Sequence, residues 1–213
     1  MTLPEVLLTA GLVLLGGVLG ATALPLWADR ASRSPARSGV RTRLAGAAVT
    51  GVAFGLLGQR TGVDALLPAF LAVTATGTAI AIVDLREKRI PNRMLLTATP
   101  IVTVLLAAAL LLRGEPGRLV AVLVGAAAMF ALYLVIALAV PAAMGMGDVK
   151  LAALLGGVLG ATGLTGWLVG LLGAFLVGGV VAVIALVTRR IGLRGSIPFG
   201  PWMVVGAVIG LAV

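Results

Sequence analysis

Eight apolar runs separated by short polar loops leave this 213-residue chain little room for anything else. They cover about 5–27, 44–58, 66–83, 95–112, 119–140, 151–164, 167–187 and 202–213. Several approach or exceed the roughly 18–20 residues that carry a helix across a bilayer. Inside lipid every backbone polar group needs an internal partner, which restricts spanning segments to helices or closed barrels. The runs are continuous and show no alternation of period two, so they select helices. Composition agrees: 61% of residues are hydrophobic and 11% charged, against about 45–50% and 25% in soluble domains. The expectation is an all-α, polytopic transmembrane helical bundle of about seven to eight spans. Residues 1–213 would form one integral membrane unit, with 28–43 as a short cytosolic Arg/Ser loop read as flexible.

What the chain lacks narrows its chemistry. It contains no cysteine and no histidine, and seven Asp plus Glu in all. Disulfides, thiolate zinc sites and cysteine nucleophiles are excluded. A metal site would need carboxylates alone, so no metal and no cofactor are expected. The net charge is +9, but its distribution argues against nucleic acid as a partner. The cations sit in short loops between apolar runs, where they set topology and can meet anionic lipid headgroups. If eight spans alternate sides, the loops at 28–43, 85–94, 142–150 and 188–201 share one face and hold 13 of the 16 Lys and Arg. Arg60, Arg113 and Arg118 are left for the other face. Because the positive excess marks the cytoplasmic side, that side receives the first set of loops, and both termini lie outside. The first run follows Glu5 and has no basic segment before it, so it reads as a span and not as a cleaved signal. Glycine spacings such as Gly16/Gly20, Gly156/Gly160 and Gly206/Gly210 predict close helix packing within the bundle.

Two carboxylates stand apart. Glu5, Asp29, Asp64, Glu87 and Glu115 fall in loops or at the outer end of a span. Asp84 ends an apolar run in "IAIVDLREKRIPNRM" (80–94), and Asp148 begins one in "GMGDVK" (145–150). Ionisable groups at membrane depth are costly and usually functional. Between the two lie an outward span, the turn "RGEPGR" and an inward span. Eighteen helical residues rise about 27 Å, one hydrocarbon thickness, so both carboxylates return to the same leaflet. Beside Asp84, Pro91 removes a donor and biases Ile90 towards extended backbone, and Asn92 is a candidate helix N-cap. Beside Asp148, Gly145 and Gly147 permit positive φ and close backbone approach, Pro141 marks the preceding helix end, and Lys150 can bias the carboxylate or reach the headgroups. A plainer reading stays open: Asp148 as a helix cap, and Asp84 as the first residue of a loop.

The combined pattern is an apolar span ending in Asp84, Ile90-Pro91-Asn92, two spans, and then Gly145-Met-Gly147-Asp148-Val-Lys150. Together with "GSIPFGPWMVVG" (195–206), it resembles the type IV prepilin peptidases, bacterial members of the GxGD class of membrane aspartyl proteases. The resemblance covers about residues 66–213. It implies an aspartic endopeptidase of the bacterial inner membrane with its site at the cytoplasmic face. Asp84 and Asp148 would be catalytic, with Ile90, Pro91, Asn92, Gly145, Gly147 and Lys150 as supporting motif residues. The implied substrate is a prepilin or pseudopilin with a basic leader cleaved after glycine. Longer relatives carry paired Cys-x-x-Cys motifs between the first two spans and also N-methylate the product. Here that region is the cysteine-free loop 28–43, so the chain looks like a short form without the methyltransferase. The competing reading is a small proton- or cation-coupled transporter using Asp84 and Asp148. Against it, both aspartates lie at one membrane face and not at the midplane.

Overall fold

The computed structural model describes residues 2–34, 37–140, 144–189 and 197–213. Among them the chain is helical, with no strand. The helices are α1 (Leu3–Ala21), α2 (Ala23–Ala31), α3 (Val40–Thr61), α4 (Leu67–Glu87), α5 (Asn92–Leu112), α6 (Arg118–Ala139), α7 (Met146–Thr162), α8 (Leu164–Val187) and α9 (Gly200–Leu211). Helices α1 and α2 form one 29-residue path that joins five other helices in being long and apolar enough to cross a membrane. The chain is a multi-pass membrane protein built as a helical bundle. The path breaks at Thr22 for two local reasons. Pro25 offers no N–H to the carbonyl of Ala21, four residues back, and its ring crowds that group. Meanwhile the Thr22 hydroxyl donates to the Val18 carbonyl at 2.6 Å.

Glycine decides how the helices pair. A Cβ on Gly16 would stand 2.6 Å from the Thr50 carbonyl oxygen, and one on Gly20 would stand 2.2 Å from that of Gly46, so α1 and α3 touch backbone to backbone. The same kind of seam joins α6 to α7, where a Cβ on Gly156 would stand 2.5 Å from the Gly125 carbonyl oxygen, and α8 to α9, where a Cβ on Gly210 would stand 2.4 Å from that of Gly166. Small residues let helices approach where lipid supplies no hydrophobic drive between them. All three expected glycine pairs therefore serve contacts inside the bundle. Gly11 and Gly179 differ: a Cβ on either would meet nothing within 4 Å.

Helix α4 is the centre. Of its apolar window 72% is buried inside the protein, against 17–39% for the other five spans. It packs against α2, α3, α5 and α9 and touches α7. The outer helices turn Leu112, Leu164 and Leu176 outward, as a lipid-facing surface requires. At one end of the bundle Arg113 pairs with Asp64 at 3.0 Å, Arg118 donates to the Ala161 carbonyl at 3.1 Å, and Arg60 donates to the carbonyl of Val213. The three arginines assigned to the minority face thus share one end. The aspartates lie at the other.

Candidate functional site

Helix α4 runs one turn beyond the apolar stretch. It carries Asp84 through that last turn and stops at Lys88, whose left-handed backbone (φ 50°, ψ 42°) lets its N–H donate to the Asp84 carbonyl at 2.8 Å. Left-handed residues commonly close helices, though glycine is the usual choice. Asp84 is therefore not the first residue of a loop; its side chain is 3% exposed. Its Oδ2 accepts the backbone N–H of Gly200, at the start of α9, at 2.9 Å. A Cβ on Gly200 would stand 2.9 Å from that same oxygen, so only glycine allows this approach without displacing the carboxylate.

Asp148 enters from α7. It occupies the third helical position, and its Oδ2 accepts the N–H of Gly145 at 3.0 Å. The helix starts at Met146, earlier than the apolar run suggests, because the Asp148 carboxylate satisfies the N–H of the N-cap residue Gly145. The capping reading thus describes one oxygen. The other, Oδ1, is buried and has no hydrogen-bond partner among the described residues. Asp148 lies close enough to Asp84 for the two charges to interact. Helices α4 and α7 touch, the condition on which the two carboxylates can meet.

The supporting residues interlock. Gly147 packs on the backbone of Ile90, and a Cβ there would meet Ile90 Cβ at 2.8 Å and the Ile90 carbonyl oxygen at 3.2 Å. Lys150 donates to the Asn92 side-chain oxygen at 3.0 Å. The two motif loops are thus joined twice, once by close packing and once by a hydrogen bond. Two expectations are corrected. The N-cap of α5 is Pro91, and Asn92, its first helical residue, spends its side chain on Lys150. Gly145 has φ −89° and Gly147 is helical, so these glycines provide room and not a left-handed turn. Pro141 lies outside the described residues.

Three features escaped the sequence reading. The first is Gly200. The second is Tyr133 on α6, which is fully buried and within electrostatic range of Asp148. Its ring packs with Phe175 and Phe199 at centroid distances of 5.5 and 6.2 Å, while its hydroxyl has no hydrogen-bond partner among the described residues. The third is the way loop 28–43 is anchored. Glu87 accepts the Ser32 hydroxyl, the N–H groups of Arg33 and Ser34 at 2.8 and 3.1 Å, and the Arg89 guanidinium at 2.6 Å. Asp29 accepts the Ser38 hydroxyl at 2.7 Å and pairs with Arg86 at 2.8 Å. The loop expected to be flexible is pinned on both flanks to the last turn of α4, and these two carboxylates belong to helices. Among the described residues, no three acidic side chains come together into a group that could hold a metal.

Comparisons with known proteins converge on this region. The type IV leader peptidase family matches residues 70–183, which include both aspartates. A prepilin leader peptidase/N-methyltransferase of Bacillus subtilis is 33% identical over 162 residues. That alignment takes in 76% of this chain and 62% of the relative, so the chain spans about three-fifths of the relative's length. No solved structure matches the chain.

Proposed function

The chain belongs to the type IV leader peptidase family, and on that premise we propose that it is an aspartyl endopeptidase cleaving the cytosolic leader of prepilin-like or pseudopilin substrates. The observation that carries the reading is the convergence of Asp84 and Asp148, within electrostatic range, with one buried carboxylate oxygen left unpaired. Buried polar atoms are nearly always satisfied. One that is not, beside a second carboxylate, suits a site whose partner is water or substrate.

Two carboxylates at close range do not both ionise readily, so the pair holds one proton between them and titrates as a unit. The ionised member takes a proton from water as the water oxygen attacks the scissile carbonyl carbon. The protonated member donates to the carbonyl oxygen, giving a neutral tetrahedral diol. The diol collapses as the C–N bond breaks: the protonated member gives its proton to the amine nitrogen, and the ionised member takes one from a diol hydroxyl, which restores the singly protonated pair. The Gly200 N–H fixes Asp84 and the Gly145 N–H fixes Asp148, so the attacking geometry is set before substrate arrives. The Tyr133 hydroxyl is a further donor on the Asp148 side, available to the developing oxyanion. The charge distribution supports a cytoplasmic site, where a basic leader would lie in the cytosol and the following apolar helix in the bilayer. N-methylation is not part of this reading, because loop 28–43 carries no cysteine pair.

The test is cleavage of a co-expressed prepilin. Asp84→Asn and Asp148→Asn keep shape but cannot cycle a proton, and each alone abolishes cleavage with the protein still inserted. The double variant is no worse than either single one, because members of a catalytic unit are strongly non-additive. Near wild-type cleavage by folded Asp84→Asn protein would refute the dyad.

A further inference from the structure

Beside the aspartates, and separate from them, lies a cavity of about 570 Å³ between loop 28–43, the Ile90–Arg93 segment and the start of α7. Five cationic side chains line it: Arg30, Arg33, Arg89, Arg93 and Lys150. Among the described residues no acidic side chain does. Arg89 is paired with Glu87, and Lys150 bonds the neutral Asn92. Arg30, Arg33 and Arg93 make no ion pair among the described residues.

The backbone adds to this field. Pro91, Asn92 and Arg93 bring the N-terminus of α5 to the cavity wall, and Met146 and Gly147 bring that of α7. Helix N-termini present orphan N–H groups and about half a positive charge each. Two helix starts and five cations thus converge on one space, and of the five only Arg89 has an acidic partner among the described residues, Glu87. Such clustering of like charge costs free energy unless an anion binds. The arginine forks match phosphate oxygens in particular.

The cavity opens at the helix-end level of a membrane bundle, where lipid phosphates are the most abundant anions. We propose that it is a binding site for the phosphate of an anionic phospholipid headgroup. The lipid complements the four cations that Glu87 does not pair, and it braces the Ile90–Gly147 junction. A bound headgroup also neutralises a surface that would otherwise repel a cationic leader. That last consequence depends on the proposed function; the lipid site itself does not.

The experiment is native mass spectrometry of the full chain released from phosphatidylcholine nanodiscs doped with phosphatidylglycerol. The wild-type protein retains one phosphatidylglycerol after phosphatidylcholine has been stripped. Arg33→Gln/Arg93→Gln holds it about thirtyfold more weakly, from the loss of two membrane-surface cations. Arg41→Gln/Arg43→Gln removes as much charge outside the cavity and retains the lipid like wild type. If the double variant melts early, Arg33→Gln and Arg93→Gln are measured singly, each about fivefold weaker. Retention unaffected by cavity substitutions, or equally reduced by Arg41→Gln/Arg43→Gln, overturns the site. Displacement of the lipid by millimolar inorganic phosphate overturns the lipid source and leaves a free-anion site. The readout does not involve cleavage, so it stands or falls separately from the peptidase reading.

Discussion

A phenol hydroxyl buried without a partner costs about 1–3 kcal/mol, and Tyr133 bears that cost within range of Asp148. Tyr133→Phe removes only the oxygen, leaving the ring stack with Phe175 and Phe199 intact. Its thermal stability should therefore be unchanged or slightly higher. If the hydroxyl donates to the developing oxyanion, kcat falls about hundredfold with KM little altered. Leader-cleavage kinetics on the purified variant would decide, and an unchanged kcat would remove Tyr133 from the chemistry. Asp84 and Asp148 were legible in the sequence because each sits inside a short local motif. Tyr133 and Gly200 were not, because what joins them to the aspartates is helix packing. Gly200 reaches Asp84 across 116 residues, and no local spacing reports such a contact.

At the scale of elements, each of the eight apolar runs became helix, because length and hydropathy alone dictate helical spans in lipid. Their ends were less legible. Helix α4 extends to Glu87 and α7 begins at Met146 because polar groups satisfy the terminal turns, and hydropathy does not register caps. The Arg/Ser loop shows the same limit: its composition reads as mobile, yet Glu87 and Asp29 hold it. Glu87→Gln keeps the side chain's size but weakens charge-assisted bonds to Ser32, Arg33 and Ser34, each worth about 1.5–3 kcal/mol. Trypsin should then cut within 30–43 at least about tenfold faster, since cleavage follows the population of the opened loop. Unchanged digestion kinetics would show that the loop is held by other contacts.

At the scale of the whole molecule, the bundle has two chemically different ends. One gathers Arg60, Arg113 and Arg118; the other carries the aspartates and the basic loops. The charge asymmetry predicts which end faces the cytoplasm. In this naturally cysteine-free chain, a cysteine at Ser34 or Arg89 should react only with reagents that enter the cell. One at Gly114 should label from outside, and outside labelling at position 89 would invert the orientation. The glycine seams have a practical corollary for anyone preparing the protein. About half of the glycines along α1–α3, α6–α7 and α8–α9 are fixed by a facing backbone, so broad consensus-style replacement would pry the bundle apart. Gly11 and Gly179 carry no such constraint, and each leaves a helix looser than alanine would. Gly11→Ala/Gly179→Ala should raise detergent-phase stability by about 1–2 kcal/mol, measurable as a higher melting temperature. The chain's most glycine-dependent feature thus also shows where its shelf life can be lengthened without touching Asp84 or Asp148.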